Sequence, residues 1–255
     1  NVTQHDGNYS VVVSNDFGSV ESGVVEVLIS DSLLNGLVGW WKFDESNGTV
    51  AYDSSGNGND GNLTNGPTWT TGKIGGALSF DGVDDLLLLP HSTLAERNLF
   101  SYCLWFYATE TSSIQHTFLS AANSVRFNEF LFWTKSQQLE IQYKNNVIGI
   151  TSSLNSEFWL NKWKYLTLIY NPNRLLIYSN GQEVFDINYS LQSLNIDSGG
   201  LILGVDQDSF GGGFQSHQFV KGLIDAGSLQ LGAIVPHEPP HPPVPLERIP
   251  RVGHV

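Results

Sequence analysis

Short runs of Val, Ile, Leu, Phe, Tyr and Trp recur along this 255-residue chain between clusters of Gly, Asn, Asp and Ser, and apolar residues at helical spacing are hard to find. This pattern limits the regular structure to strands that present alternate side chains to a core, so the chain is predicted to be all-β. Expected strands are 9–14, 24–29, 39–43, 77–80, 86–89, 100–107, 129–134, 139–143, 163–170, 174–179, 201–205 and 219–224. Turn chemistry separates them: Asn65-Gly66, Asp81-Gly82, Asn180-Gly181 and the stretch DSSGNGNDGN from Asp53 to Asn62.

Composition narrows the possible partners. With 40% hydrophobic and 12% aromatic residues there is ample material for a core. Twelve Lys and Arg against 25 Asp and Glu leave a net charge of −13. That charge repels phosphate backbones and anionic lipid, which argues against nucleic acid and favours divalent cations. One cysteine, Cys103, rules out an internal disulfide framework and a cysteine-rich zinc site. No run of 18 apolar residues is present, so no membrane insertion is expected. The chain has no methionine and reads as an excerpt of a longer protein, with neighbouring domains.

Both ends differ from the middle. In residues 1–30, HDGNYSVVVSNDFGSVESGVVEVLIS has a tyrosine after a Gly turn, alternation at Val11 and Val13, and a second alternating run at Val25, Val27 and Ile29. It resembles the last two strands of an immunoglobulin-like domain, with Tyr9 at the tyrosine corner and Val11 where relatives often carry cysteine. Residues 226–255 are expected to form a disordered tail. Seven of the ten prolines fall between Pro236 and Pro250, and His237, His241 and His254 read as solvated linker residues.

The stretch LGVDQDSFGGGFQSHQF, Leu203 to Phe219, carries the chemistry. If a strand runs to Val205, the two-residue period puts Asp206 and Asp208 on one side and Gln207 on the other. Two carboxylates held together repel and call for a compensating cation. Three glycines, Gly211 to Gly213, let the chain turn back and return Gln215 and Gln218 with neutral amide oxygens. An all-oxygen set suits calcium. An EF-hand does not fit, because its twelfth position would be His217 and no amphipathic helices flank the loop. The alternative is a solvated Gly-rich hairpin whose acids only aid solubility.

Two further segments, GLVGWWKFDESNGTVAYDSSGNGNDGNL and GKIGGALSFDGVDDLLLLP, resemble the opening of laminin-G-like (LamG), concanavalin A-like jelly-roll domains. From Phe100 on, FSYCLWFY, NEFLFWTK, SNGQEV and LILGVDQDSFGGGF resemble the pentraxin branch of that fold. The resemblance implies a two-sheet antiparallel jelly-roll sandwich over residues 36–225. It also implies calcium held by Asn128, Asp206, the Gln207 carbonyl, Asp208, Gln215 and Gln218. Phe127 stands where the family has Asp, Gln215 where it has Glu, and Asp206 is shorter than the usual Glu. One calcium ion is therefore expected rather than two. Cys103 matches one pentraxin disulfide cysteine, but its partner position holds Tyr165, so Cys103 is expected to be a buried free thiol. The likeness stops after Asp225, which suggests a break in reading frame near Ala226.

No close pair of carboxylates of the glucanase kind appears, and neither does a Ser-His-Asp elbow, a phosphate loop or a zinc tetrad. The expected function is a non-catalytic module for calcium-assisted, lectin-like binding of a carbohydrate or anionic small-molecule group within a larger extracellular protein. The alternatives are an adhesion spacer with a degenerate metal site and, behind it, a relative of the glycoside hydrolases. Most aromatics in the strand-like runs are expected to be core, with Trp69 and Trp159 the better candidates for exposure.

Overall fold

In the computed structural model, residues 7–9, 12–15, 18–21, 25–27, 36–110, 115–135, 137–151 and 156–231 are described. They fall into two compact units, 1–36 and 37–255. In the first unit, β1 (Gly7–Tyr9) pairs antiparallel with β4 (Val25–Val27), and β2 (Val12–Asn15) pairs with β3 (Gly18–Glu21). Val11 lies outside the described residues.

The second unit is built from β5 (Leu37–Trp41), β6 (Val50–Ala51), β7 (Gly61–Thr64), β8 (Thr68–Thr71), β9 (Gly76–Asp81), β10 (Leu86–Leu89), β11 (Phe100–Ala108), β12 (Thr117–Ala121), β13 (Phe130–Lys135), β14 (Gln138–Tyr143), β15 (Asn146–Ile150), β16 (Trp163–Asn171), β17 (Arg174–Ser179), β18 (Gln182–Asn188), β19 (Leu201–Leu203) and β20 (Lys221–Leu231). Among the described residues the one α-helical turn is Ser156–Trp159. One sheet has the order β15-β14-β13-β12-β19-β10-β7-β6. The other has β18-β17-β16-β11-β20-β9-β8, with β5 also paired to β20. All the strand pairs are antiparallel, and the unit is the expected concanavalin A-like jelly-roll sandwich.

Side chains from both sheets fill the core. Phe100 stacks on Tyr170 with ring centres 4.8 Å apart, and Phe118 meets Phe132 at 5.0 Å. Alternation along β13 sends Phe130 and Phe132 into this core and leaves Trp133 on the other face of its sheet. On β19, Leu201 and Leu203 join the core, whereas Ile202 joins a second apolar cluster with Leu86, Val205 and Phe219. That cluster lies under the 204–219 loop and holds it against the sheet face away from the core.

Four expectations need correction. The strand expected to reach Val205 ends at Leu203, because Gly204 turns out of the sheet with φ of 101°. A Cβ there would come within 2.8 Å of the Phe80 ring. Trp159 is not exposed: it is 1% accessible, its Nε1 donates to the Gln137 carbonyl (3.0 Å), and it packs on Phe106 and Phe118. Trp69 is half-buried, donating from Nε1 to the Gly48 carbonyl (2.9 Å). Finally, no tail begins at 226. β20 continues to Leu231, with Ser228 opposite Cys103 and Asp225 opposite Trp105, so Ala226 and Gly227 form a bulge against Leu104. Ala226 takes a φ of 45° there. The jelly-roll unit therefore extends to Leu231; residues 232–255, with the prolines and the three histidines, lie outside the described residues.

Candidate metal centre

A cavity of about 400 Å³ opens where the 204–219 loop crosses the sheet face. Asn128, Trp133, Lys135 and Gln142 line it from the sheet side, and Asp206, Asp208, Gln215, His217 and Gln218 from the loop. Five of the six expected site residues meet there. The sixth, Gln207, was expected to offer only its backbone carbonyl; its side chain points the other way and is wholly buried. Its Nε2 donates to the Gly200 carbonyl (3.2 Å) and to Ser120 Oγ (3.3 Å), and its Oε1 accepts from the Gly211 N–H (3.1 Å). Gln207 thus pins the loop and leaves its two acidic neighbours facing the cavity.

Asp206 is 2% exposed, with Oδ2 accepting from Gln218 Nε2 at 3.3 Å. Burial, with the Asp208 charge second, pushes its carboxyl up to about 7. Asp208 Oδ2 accepts from Gln215 Nε2 at 2.6 Å. The two glutamines also brace each other: the Gln215 N–H donates to Gln218 Oε1 (3.1 Å), and the Gln218 N–H donates to the Gln215 carbonyl (2.9 Å).

Asn128, 3% exposed, is held by the tight turn between β14 and β15. Lys144 and Asn145 both take positive φ, 51° and 63°. The Asn128 N–H donates to Asn145 Oδ1 (3.0 Å), and the Asn145 N–H donates to the Asn128 carbonyl (2.8 Å). The side-chain Nδ2 donates to Gln142 Oε1 (2.9 Å). Its oxygen then lies 2.9 Å from Asp206 Oδ1 and 3.0 Å from the Phe127 carbonyl oxygen. Oxygens in such contact repel one another, and either a cation among them or a reversed amide removes the repulsion. Neighbouring oxygens around a calcium ion, each 2.3–2.6 Å from it, stand roughly 3 Å apart, so the set fits a hard cation. Phe127 is 39% exposed at the lip, and its backbone carbonyl oxygen faces the Asn128 amide.

Glu140 and Gln142 did not stand out as site residues in the sequence. Both lie on β14, two residues apart and therefore on one face, where Glu140 is opposite Trp133. Glu140 is buried and accepts at Oε1 from Trp133 Nε1 (3.2 Å) and from Gln142 Nε2 (2.9 Å). The polar alternation in LEIQY was the available signal. A separate acidic group, Asp81, Asp84 and Asp85, closes the turn after β9, where Asp85 Oδ2 accepts from the Asp81 N–H (2.9 Å).

Residues 80–233 match the family model of the concanavalin A-like lectin/glucanases superfamily. Comparison with curated proteins gives no match. Among solved structures, the chain is similar to domain 4 of AbnA, a GH43 extracellular arabinanase from Geobacillus stearothermophilus, in complex with arabinotriose. That likeness has a TM-score of 0.58 at 21% identity and covers 78% of this chain and 93% of that one. The binding domain of Paraclostridial Mosquitocidal Protein 1 gives 0.62 at 15%, covering 79% and 50%. A mutant Trypanosoma rangeli sialidase displaying trans-sialidase activity gives 0.58 at 16%, covering 82% and 32%. At these identities the likeness is one of fold.

Proposed function

Because the chain belongs to the concanavalin A-like lectin/glucanases superfamily, we propose that its jelly-roll unit is a non-catalytic binding module in which one calcium ion assists recognition of a carbohydrate or anionic group. The reading rests on one observation above all: at the cavity the outer atom of the Asn128 amide lies 2.9 Å from Asp206 Oδ1 and 3.0 Å from the Phe127 carbonyl oxygen. With its oxygen outward, three oxygens meet where a cation would sit; with its nitrogen outward, the amide bonds both. Asp208 adds its second oxygen, and the two glutamines, whose Nε2 groups now bond the acids, would turn their amide oxygens inward to complete an oxygen-only set. The module serves as part of a longer, extracellular protein that also carries the 1–30 segment, here proposed to be immunoglobulin-like. A sugar is the favoured ligand: the cavity is lined by carboxylates and amides that can bond hydroxyl groups, and the arabinanase domain is described in complex with arabinotriose.

A non-catalytic role accords with how the nearby acids are engaged. Glu140 is buried against Trp133 and Gln142, and Asp206 and Asp208 each accept from a glutamine amide. Asp206 does feel the charge of Asp208, but hydrogen bonds from glutamine amides hold both, which accords with a binding role. A second reading, a spacer with a degenerate site, draws on the direct Gln215–Asp208 bond, which occupies one carboxylate oxygen without a metal. A glycan array probed with calcium and again with EDTA separates the two readings. Binding that is present with calcium and lost with EDTA supports the module, and no binding in either condition supports the spacer. Hydrolysis of a bound polysaccharide would overturn the non-catalytic reading.

A further inference from the structure

Asp206 and Glu140 stand at the two ends of a series of two amides. Glu140 Oε1 meets Gln142 Nε2 at 2.9 Å, Gln142 Oε1 meets Asn128 Nδ2 at 2.9 Å, and Asn128 Oδ1 meets Asp206 Oδ1 at 2.9 Å. Each amide has one donor end and one acceptor end, and both carboxylates, when ionised as cation binding requires, only accept. Three contacts therefore share two donors. With both acids ionised, however the amides turn, one contact must set oxygen against oxygen, and the orientation decides which. Turning Asn128 alone moves the conflict to its contact with Gln142; turning both moves it to Glu140.

Trp133 bears on that choice. Its indole Nε1 can only donate, and it does so to the same Glu140 Oε1 that receives Gln142, at 3.2 Å. Glu140 is buried, so water does not readily take over from these donors. The oxygen–oxygen contact is thereby driven to the far end, into the cavity beside Asp208.

We infer that Glu140 and Gln142 are positioning residues for the cation, acting through Asn128: they commit its amide oxygen to the cavity. This rests on the calcium reading above and deepens it. A cation is what the exported conflict attracts, because it converts the one unfavourable contact into shared coordination. Were the series cut, the Asn128 amide would turn over, donate to Asp206 Oδ1 and the Phe127 carbonyl, and fill the place of the ion with N–H groups.

The test uses the full chain, titrated with calcium by calorimetry and with terbium by luminescence excited through Trp133. Gln142→Met is the deciding variant, because it removes the relay without changing net charge. It should weaken calcium binding about ten-fold, the scale of one well-made hydrogen bond to a charged group, while the melting midpoint in EDTA stays at or above the native value. Glu140→Met should also weaken binding. Adding Gln142→Met to it should cost much less than Gln142→Met costs alone, because the relay is already broken; an effect of charge alone would add. Native-like affinity in Gln142→Met, or additive losses in the double variant, overturns the inference while leaving calcium binding intact. Absence of calcium binding in the native chain overturns both the inference and the reading beneath it.

Discussion

Replacing Asp206 by Asn should make the metal-free protein more stable and the calcium response vanish. The Asp206 carboxyl is raised to about 7 in the fold against 3.8 when unfolded, through burial first and the Asp208 charge second. A raised acid contributes stability that is whole below about pH 4 and is lost as pH climbs through 7. At pH 7 the accumulated loss is up to about 4 kcal/mol, at about 1.4 kcal/mol per pH unit. The Asp206→Asn variant is spared that loss, but its amide accepts more weakly from Gln218 Nε2 and the Gln207 N–H, which returns on the order of 1–2 kcal/mol. The net gain of about 2–3 kcal/mol corresponds to roughly 5–8 °C for a unit of about 200 residues. The assay is thermal unfolding at pH 7, first in EDTA and then in calcium. Native protein at one hundred times its dissociation constant should gain about 2.7 kcal/mol, and Asp206→Asn nothing. A lower midpoint for Asp206→Asn in EDTA, or an undiminished rise with calcium, would refute the argument.

Two further outcomes concern the scaffold. Asp225 is fully buried; its Oδ2 accepts from the Ile74 N–H (2.8 Å), its Oδ1 has no partner, and burial raises it to about 6. The stability it contributes is lost as pH rises through 6, so Asp225→Asn should flatten the gain seen in urea titrations between pH 7 and 5; an unchanged slope counts against this. Buried His116, lowered to about 4, acts in the opposite sense below pH 6.5, and the comparison is therefore between variant and native chain. The Cys103 thiol is buried beside Thr167 Oγ1 (3.6 Å), and burial raises its pKa, so a thiol reagent such as DTNB should label it at the rate of unfolding and not before. Fast labelling in native buffer would contradict that placement.

The sandwich was legible because its central strands are long, apolar and bounded by turn residues. β10 and β17 fall where expected to the residue, and β11, β13, β14 and β16 nearly so. Strands without that contrast were missed. β8 (TWTT) exposes three of its four residues, and β18 (QEVFDIN) lies at a sheet edge with no fully buried position. Val50–Ala51 is too short to show any period. The acids and amides of the loop were readable from spacing and resemblance, although the strand argument that aligned Asp206 with Asp208 fails at Gly204; the burial of Gln207 turns them to one side instead. Glu140 and Gln142 escaped because their meaning depends on which face of β14 the loop covers, a tertiary fact that a local pattern does not contain. Trp159 misled because its neighbours look like turn residues, whereas a single helical turn drives the indole inward.

Strand β20 is the last described strand of the chain, yet it is interior to its sheet, bonded along one edge to β11 and along the other to β9 and then β5. During synthesis on the ribosome, β11, β9 and β5 must therefore wait with open edges until residues 221–231 emerge. Closure of this sheet is thus a late event in the making of the unit, governed by contacts more than a hundred residues apart in sequence, and the partly made sandwich is the stage at which a folding helper would be needed most.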